Sequence, residues 1–225
     1  IIEALDLVDQ SPNYTLTTDE LSAQMTDASD DLEAAATTED TVCFWLYSSG
    51  STGNPKGVVH PHRSMVYTSQ CAGVDTIGIC EDDICFSVSK MFHSYGFGNA
   101  LTFPLWVGAT IALSDQKVTP AMTFEAIEKF RPTLFFGVPT LYAQQLHAMD
   151  KEMTDTSSIR QCISAGEALP GDVLMRWQEK TGTLIVDGLG STEALHIFVS
   201  NTAADYKPGT SGRAVGRYEV RIVYE

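Results

Sequence analysis

Apolar and polar positions alternate in blocks along the chain, with short apolar runs separated by amphipathic stretches from residue 42 onward. Runs with the length of strands read VCFWLY (42–47), TLFFGV (133–138), QCIS (161–164) and TLIVDG (183–188). The first run is unbroken, which is typical of a strand buried on both faces, and a short apolar piece, VVH (58–60), follows it. These runs predict the strands of the fold.

Helical periodicity fills the intervals between these runs. A first helix fits residues 62–76. A second helix begins with a cap and first turn at Thr119 and Pro120 and ends at Arg131, because Pro132 follows. Its predicted inner face consists of Met122, Ala126, Ile127 and Phe130. The inner face of a third helix consists of Leu141, Tyr142, Gln145, Leu146 and Met149.

A fourth helix is predicted from Pro170 through Trp177 to a stop at Gly182. Strands that alternate with helical patterns of about 10 to 15 residues predict crossover connections. We therefore expect an α/β fold with a parallel sheet and flanking helices on both sides. Ligands of such sheets bind at the carboxyl ends of the strands.

Residues 1–41 differ from the rest, since they carry eleven carboxylates, no basic residue and little apolar periodicity. We interpret them as an acidic connecting segment of the same domain, with one or two short helices, and residues 42–225 as the core. At the other end, RYEVRIVYE (217–225) alternates Tyr218, Val220, Ile222 and Tyr224 with mostly polar neighbours, which predicts a strand to the last position. With no initiator Met, we expect a piece of a longer chain.

The composition excludes several classes of partner. The formal net charge is -15, with 29 acidic against 14 basic residues, which disfavours nucleic acid. No apolar run reaches the roughly 20 residues of a membrane helix, and no signal peptide is recognisable, so we expect a cytoplasmic protein. Five cysteines without a CxxC pair indicate neither a disulfide framework nor a zinc site.

The segment YSSGSTGNPKGVVH (47–60) carries the strongest chemical signal. Gly50, Gly53 and Gly57 allow sharp turns that present backbone amides, and Lys56 adds a positive charge. Hydroxyl donors come from Ser48, Ser49, Ser51 and Thr52. The set suits a polyphosphate, although the spacing is not that of a Walker A loop; the alternative is a flexible surface turn.

This loop resembles the phosphate loop of the adenylate-forming superfamily at every consensus position. Three further segments are similar to motifs of that family in the same order: MFHSYGFGNALTFPL (91–105), SAGEALP (164–170) and GLGSTEALHIF (188–198). The likeness covers about residues 42–225, and the benzoate-CoA ligase branch is the most similar. It implies part of the large N-terminal domain of an enzyme that uses ATP and Mg²⁺ to activate an aromatic acid and transfers it to coenzyme A.

The resemblance also implies roles for single residues. Thr52 and Lys56 would hold the β and γ phosphates, Thr192 the α phosphate, and Glu193 the Mg²⁺; alone, Glu193 would be an ordinary solvated carboxylate. Nucleotide contacts are implied for Ser48, Ser49, Gly50, Ser51, Thr52, Gly53, Lys56, Gly57, Gly166, Glu167, Ala168, Gly190, Ser191 and Thr192. The family's aromatic residue at position 189 is Leu189 here, which weakens adenine stacking.

The implied acid pocket consists of His93, Ser94, Tyr95, Ala165, Gly190, His196 and Ile197. The Ser94 hydroxyl suggests tolerance of a ring substituent such as 4-hydroxy. For His93 a hydrogen-bonded core position is an equal alternative, and His60, His62 and His147 receive no role.

Three interpretations remain open at the level of sequence. The first is an aryl-acid:CoA ligase, with an aromatic acid, ATP and CoA as its small-molecule partners and a homodimer left open. The second is an adenylating domain that loads a carrier protein, and the third is a nucleotide-binding fragment without turnover. Because no small C-terminal domain with its lysine is found, we expect the present chain alone to turn over poorly or not at all.

Overall fold

The computed structural model describes residues 15–49 and 54–223. The chain divides into two compact units, Ile1–Thr37 and Thr38–Glu225. The described part of the first unit contains one helix, α1 (Thr18–Asp27), whose start is fixed by a capping box between Thr17 and Glu20. None of its side chains is buried. A short helix in the acidic segment is thus confirmed.

The second unit is built on a seven-stranded sheet with the order β4-β3-β5-β6-β7-β8-β9. Its strands are β3 (Ile84–Ser87), β4 (Thr110–Ala112), β5 (Leu134–Gly137), β6 (Gln161–Ser164), β7 (Ile185–Gly190), β8 (Ile197–Ser200) and β9 (Arg213–Ala214). Pairs from β4 through β7 are parallel, and β8 and β9 add antiparallel strands at one edge. The predicted α/β fold is confirmed, with a mixed rather than wholly parallel sheet.

Helices connect the parallel strands of the sheet. They are α2 (His62–Thr68), α3 (Ser94–Phe97), α4 (Phe103–Val107), α5 (Pro120–Phe130), α6 (Pro139–Met149) and α7 (Gly171–Thr181), with π-helical turns at Ser69–Ile77 and Gly98–Thr102. The predicted cap is present, since Thr119 Oγ1 accepts a hydrogen bond from the Met122 amide at 3.2 Å. Among the described helices, none combines the length and apolar character needed to cross a membrane.

Two apolar clusters cover the two faces of the sheet. Phe135 belongs to one cluster with Ile127, Tyr142 and Trp177. Its neighbour Phe136 belongs to the other. Successive residues of a strand point to opposite faces, so this division shows that helices cover both sides of β5. The predicted inner faces of α5 and α6 are buried apart from Phe130, which is partly buried.

The strand predicted at residues 42–47 exists, but its predicted burial on both faces is wrong. β1 (Val42–Ser49) pairs antiparallel with β2 (Pro55–Pro61) in a separate two-stranded sheet. Trp45, Tyr47 and Val59 on its outer face are 60%, 71% and 51% exposed. The inner face packs through Phe44, whose ring contacts Phe97 at 4.8 Å. A continuous apolar run cannot tell which of its faces will be covered.

The terminal strand predicted from Tyr218 onward is wrong for the residues described. Residues 219–223 form no strand, and Ile222 is 88% exposed. Tyr218 instead packs edge-on against Tyr67 and donates to the Ala194 carbonyl at 3.1 Å. Alternation creates a strand only where another strand offers backbone partners. Tyr224 lies outside the described residues.

Three polar side chains join the amino ends of neighbouring strands. Asp83 precedes β3, Thr133 precedes β5 and Arg160 precedes β6. Arg160 donates to both carboxylate oxygens of Asp83, at 2.8 and 2.7 Å, and Thr133 Oγ1 donates at 2.6 Å. The carboxylate also accepts from the Cys80 amide at 2.9 Å. This cluster around the buried Asp83 joins the amino ends of the strands, opposite to the carboxyl ends where ligands of such folds bind.

Candidate active site

The Gly-rich loop connects the two strands of the β1–β2 hairpin. Gly50, Ser51, Thr52 and Gly53 lie outside the described residues, so their predicted roles stay predictions. Of the remaining loop residues, Ser48 is opposite Lys56, Ser49 is opposite Pro55, and Gly57 is opposite Tyr47. Lys56 is exposed and lies four residues before His60 on the same strand. Residues 56, 58 and 60 therefore share one face of β2.

His60 connects this hairpin to the second predicted phosphate segment. Its Nε2 lies 2.9 Å from the Thr192 carbonyl oxygen, and its ring stacks on Phe44 at 5.2 Å. The side chain is buried, and burial lowers its pKa against smaller upward contributions from the Thr192 carbonyl and Glu193. No role is predicted for His60 from the sequence. Two histidines spaced by one residue were the only signal, and they do not reveal a contact across the fold.

Residues Thr192 to Leu195 form a tight turn after β7. The Leu195 amide donates to the Thr192 carbonyl at 3.1 Å, and the Ala194 amide donates to Ser191 Oγ at 3.1 Å. Leu195 adopts a φ of 65°, and its side chain is buried. The turn leaves Glu193 exposed. Glu193 and His60 both line a cleft of about 860 Å³.

The predicted adenine-contacting residues follow β6. Gly166, Glu167 and Ala168 are exposed in the turn that leads towards α7. The Thr140 hydroxyl at the start of α6 donates to Glu167 Oε2 at 2.7 Å. Glu167 and Ala168 also lie on the wall of a groove of about 1300 Å³ beside α5 and α6. Their place at a carboxyl strand end agrees with the rule for ligand sites in such sheets.

Several predicted acid-pocket residues are brought together around His196. Its Nε2 lies 3.0 Å from Asn99 Oδ1 and 3.3 Å from the Tyr95 carbonyl, and its ring centroid is 5.4 Å from that of Tyr95. A Cβ on Gly190 would lie 2.9 Å from the His196 carbonyl oxygen, so only glycine fits there. Burial lowers the pKa of His196 to about 3, which makes the ring neutral at physiological pH.

Tyr95 and Ala165 extend this group to the end of β6. The Tyr95 hydroxyl donates to the Ile163 carbonyl at 3.2 Å. Ala165 and Ile197 are buried in the same apolar cluster, against which Tyr95 packs. The hydroxyl is thus used in positioning the tyrosine ring. The structure therefore places Tyr95, Ala165, Gly190, His196 and Ile197 in one region.

His93 and Ser94 lie at the start of α3. His93 is exposed and its ring packs on Phe92 at 4.6 Å, which excludes the alternative of a core histidine. Ser94 is partly buried and is the first residue of the helix. Their contact with a substrate stays a prediction.

A carboxyl group absent from the predicted site lies beneath it. Asp187 is opposite Ser164 in the β6–β7 pair, and burial raises its pKa to about 6. The Ser164 hydroxyl and the Leu169 amide offset part of that increase. Asp187 Oδ1 and Ser164 Oγ nevertheless lack a hydrogen bond of normal geometry. A carboxylate inside the apolar run TLIVDG was the signal that could have drawn attention to it.

A family model described as AMP-binding enzyme matches residues 2–225. The match includes the loop hairpin, the turn after β6 and the Thr192–Leu195 turn. The chain belongs to the AMP-binding enzyme family. The resemblance inferred from the motifs is therefore confirmed.

Three members of the AMP-binding family, two compared by sequence and one by structure, are similar to most of this chain. A benzoate–CoA ligase of Thauera aromatica is 49% identical over 207 residues, covering 92% of this chain and 39% of that protein. A 4-hydroxybenzoate–CoA/benzoate–CoA ligase of Rhodopseudomonas palustris is 44% identical over 191 residues, covering 84% of this chain and 35% of that protein. The crystal structure of an anthranilate CoA ligase in complex with anthranoyl-AMP has a TM-score of 0.83 and 41% identity, covering 87% of this chain and 38% of that one. The chain thus spans less than half the length of these relatives.

Proposed function

We propose that this AMP-binding chain is the central and later part of the large domain of an ATP-dependent aryl-acid:CoA ligase. One observation carries the proposal: the hydrogen bond from His60 to Thr192 brings the loop hairpin to the Thr192–Leu195 turn. This contact between the hairpin that carries Lys56 and the turn that carries Glu193 supports a shared phosphate site. Relatives named benzoate–CoA and 4-hydroxybenzoate–CoA ligase support an aromatic acid as the substrate.

The reaction has two balanced steps. A carboxylate oxygen of the acid attacks the α-phosphorus of ATP, the bond to the bridging oxygen breaks, and pyrophosphate leaves. The sulfur of CoA then attacks the acyl carbon, its proton is lost to solvent or a base, and AMP leaves. Negative charge builds on phosphate oxygens in both steps, so fixed donors and cations lower the barrier.

The exposed Lys56 ammonium and the loop hydroxyls supply these donors, with Thr192 at the α phosphate. For Mg²⁺ the described part of the chain offers no cluster of three or more His, Cys, Asp or Glu side chains. A single exposed carboxylate, Glu193, fits this ion, which is usually bound by one or two carboxylates together with substrate phosphates. When bound, Mg²⁺ neutralises charge on the phosphates.

The region around His196 suits a planar, apolar ring. The Tyr95 ring would form a flat wall, because its hydroxyl is satisfied by the Ile163 carbonyl, whereas the space beside Gly190 is filled by the His196 backbone. The neutral His196 adds no charge that would favour an acidic or basic ring substituent. Together with the relatives named for benzoate and 4-hydroxybenzoate, an aromatic wall and a neutral imidazole support benzoate-type acids over fatty acids.

Pyrophosphate exchange on the full-length protein tests the activity. Benzoate and 4-hydroxybenzoate are expected to support exchange, with cinnamate weaker and a fatty acid inactive. Lys56→Ala and Glu193→Gln should each reduce exchange by about 100-fold or more, the usual loss for a transition-state donor. Lys129→Ala and Glu179→Gln, exposed changes on α5 and α7, serve as matched controls. Absence of exchange with every acid would refute the ligase assignment.

The thiol acceptor and the ring substituent need separate measurements. Discharge of the adenylate by CoA, but not by a phosphopantetheinyl carrier protein, is expected; the reverse would assign a carrier-loading domain. Ser94→Ala should reduce the preference for 4-hydroxybenzoate while leaving benzoate turnover in place. An unchanged ratio between the two acids would remove the role of Ser94.

The proposal includes the cellular setting. We assign the enzyme to the cytoplasm, where ATP and CoA are available, and to the degradation of aromatic compounds. Its oligomeric state, for which a homodimer is the simplest assembly, is measured by sedimentation of the full-length protein.

A further inference from the structure

His60 is a buried histidine at the junction between two structural parts of the candidate site. It lies on β2 beyond the Gly-rich loop, and its Nε2 contacts the carbonyl oxygen of Thr192, 132 positions further along the chain. We propose that His60 is a positioning residue that holds the loop hairpin in register with the Thr192–Leu195 turn. The inference rests on the ligase function proposed above.

The geometry defines what His60 contributes. A carbonyl oxygen can only accept, so Nε2 must carry the proton and donate it to Thr192. The Phe44 ring is stacked on the imidazole with an interplanar angle of 30°, which restricts the ring to one orientation. Only 3% of the residue is exposed. The donor is therefore directed and shielded from competing water.

The hairpin needs such a contact because it is not part of the large sheet. A two-stranded hairpin alone is marginally stable in water, so its orientation depends on what its inner face touches. That face meets the rest of the unit through the Phe44–Phe97 ring contact and the His60–Thr192 hydrogen bond. The apolar ring contact allows the hairpin to slide, whereas the hydrogen bond fixes the position of the hairpin against the turn.

His60 acts on the phosphates only through other residues. Lys56 lies four positions away, about 13 Å along an extended strand, so His60 and the ammonium have separate surroundings. The hydrogen bond instead sets the distance between the hairpin with Lys56 and the turn with Glu193. A misplacement of about 1 Å between groups that hold one substrate can reduce turnover strongly. The effect should therefore appear in the kinetics of ATP and not in those of the acid.

The test compares two replacements in the full-length protein. His60→Leu keeps an apolar side chain of similar bulk without a donor, and His60→Gln retains an amide N–H with similar reach. Val59→Ala changes the neighbouring residue on the exposed face of the same strand and is the control. Steady-state pyrophosphate exchange gives KM for ATP, KM for the acid and kcat.

His60→Leu is expected to reduce kcat/KM for ATP about three- to tenfold, the loss that corresponds to one hydrogen bond. KM for the acid should stay within about twofold, and His60→Gln and Val59→Ala should resemble the wild type. If a thermal melt shows that His60→Leu is unfolded, His60→Asn, whose amide is too short to reach Thr192, is expected to show the same selective loss.

Three results would overturn the inference. The first is an unchanged kcat/KM for ATP in the folded variant without the donor. The second is an equal rise in KM for ATP and KM for the acid, which indicates general damage, and the third is a failure of His60→Gln to restore the kinetics. A wild-type protein without exchange activity would overturn the ligase function and this inference together, which distinguishes the two failures.

Discussion

Replacement of Asp83 by Asn tests whether the amino ends of the strands depend on the cluster of the buried Asp83 with Thr133 and Arg160. The Asp83 side chain is 3% exposed and that of Arg160 is 40% exposed. The asparagine cannot accept both guanidinium bonds, and it leaves the positive charge of Arg160 without its partner. The neighbouring strands β3, β5 and β6 then lose the hydrogen bonds that join their amino ends.

The pKa of Asp83 supplies the magnitude. Burial alone would raise it, but hydrogen bonds from Arg160, Thr133 and the Cys80 amide together lower it from 3.8 to about 2. That difference corresponds to about 2.5 kcal/mol of the free energy of unfolding. Because the folded pKa is depressed, this stability is present above pH 3.8 and is lost as the pH falls towards 2. Because the Arg160 side chain is 40% exposed and water solvates its unpaired charge, Asp83→Asn should lose about 1 to 3 kcal/mol at pH 7.

Urea unfolding at pH 7 and at pH 3 measures this loss. Asp155→Asn is the matched control, because Asp155 also pairs with an arginine and has a pKa near 2, yet its side chain is 59% exposed. Solvent screening makes that pair weak, so the control should change little. KM for ATP should be unaffected in folded Asp83→Asn, since the candidate site lies at the carboxyl ends of the strands and Asp83 lies at their amino ends. Equal losses for both variants, or none for Asp83→Asn, would refute the reasoning.

Two further predictions concern the region beneath the site. Burial raises the pKa of Asp187 to about 6, so the wild type loses stability as the pH rises through 6. At pH 8 the free energy of unfolding of Asp187→Asn should therefore exceed that of the wild type by up to about 3 kcal/mol, and the variant should unfold at a higher urea concentration. At pH 3 the two proteins should differ little. Destabilisation at both pH values would contradict this. Gly98→Ala places a Cβ 2.4 Å from His196 Cδ2 and should lower stability by about 1 to 3 kcal/mol, whereas Gly171→Ala, with 3.7 Å to its nearest neighbour, should be tolerated. Equal melting temperatures for the two alanine variants would argue against the close packing at His196.

Much of the regular structure could be predicted because its determinants are local. Thr119 caps the start of α5, Arg131 caps its end, and Gly182 caps the end of α7, as their end signals indicate. Strands β5, β6 and β7 follow their apolar runs. The motifs also indicated the AMP-binding family, since a phosphate loop needs particular residue types at adjacent positions.

Only the tertiary structure decided which of these segments meet. The run at 42–47 is apolar throughout, yet one face of β1 is exposed, because burial depends on what else packs there. The contact of His60 with Thr192 and the cluster around Asp83 join residues that are far apart in the sequence. Caps and periodicity act within a few residues, whereas hydrogen bonds between distant segments exist only after the sheet has brought them together.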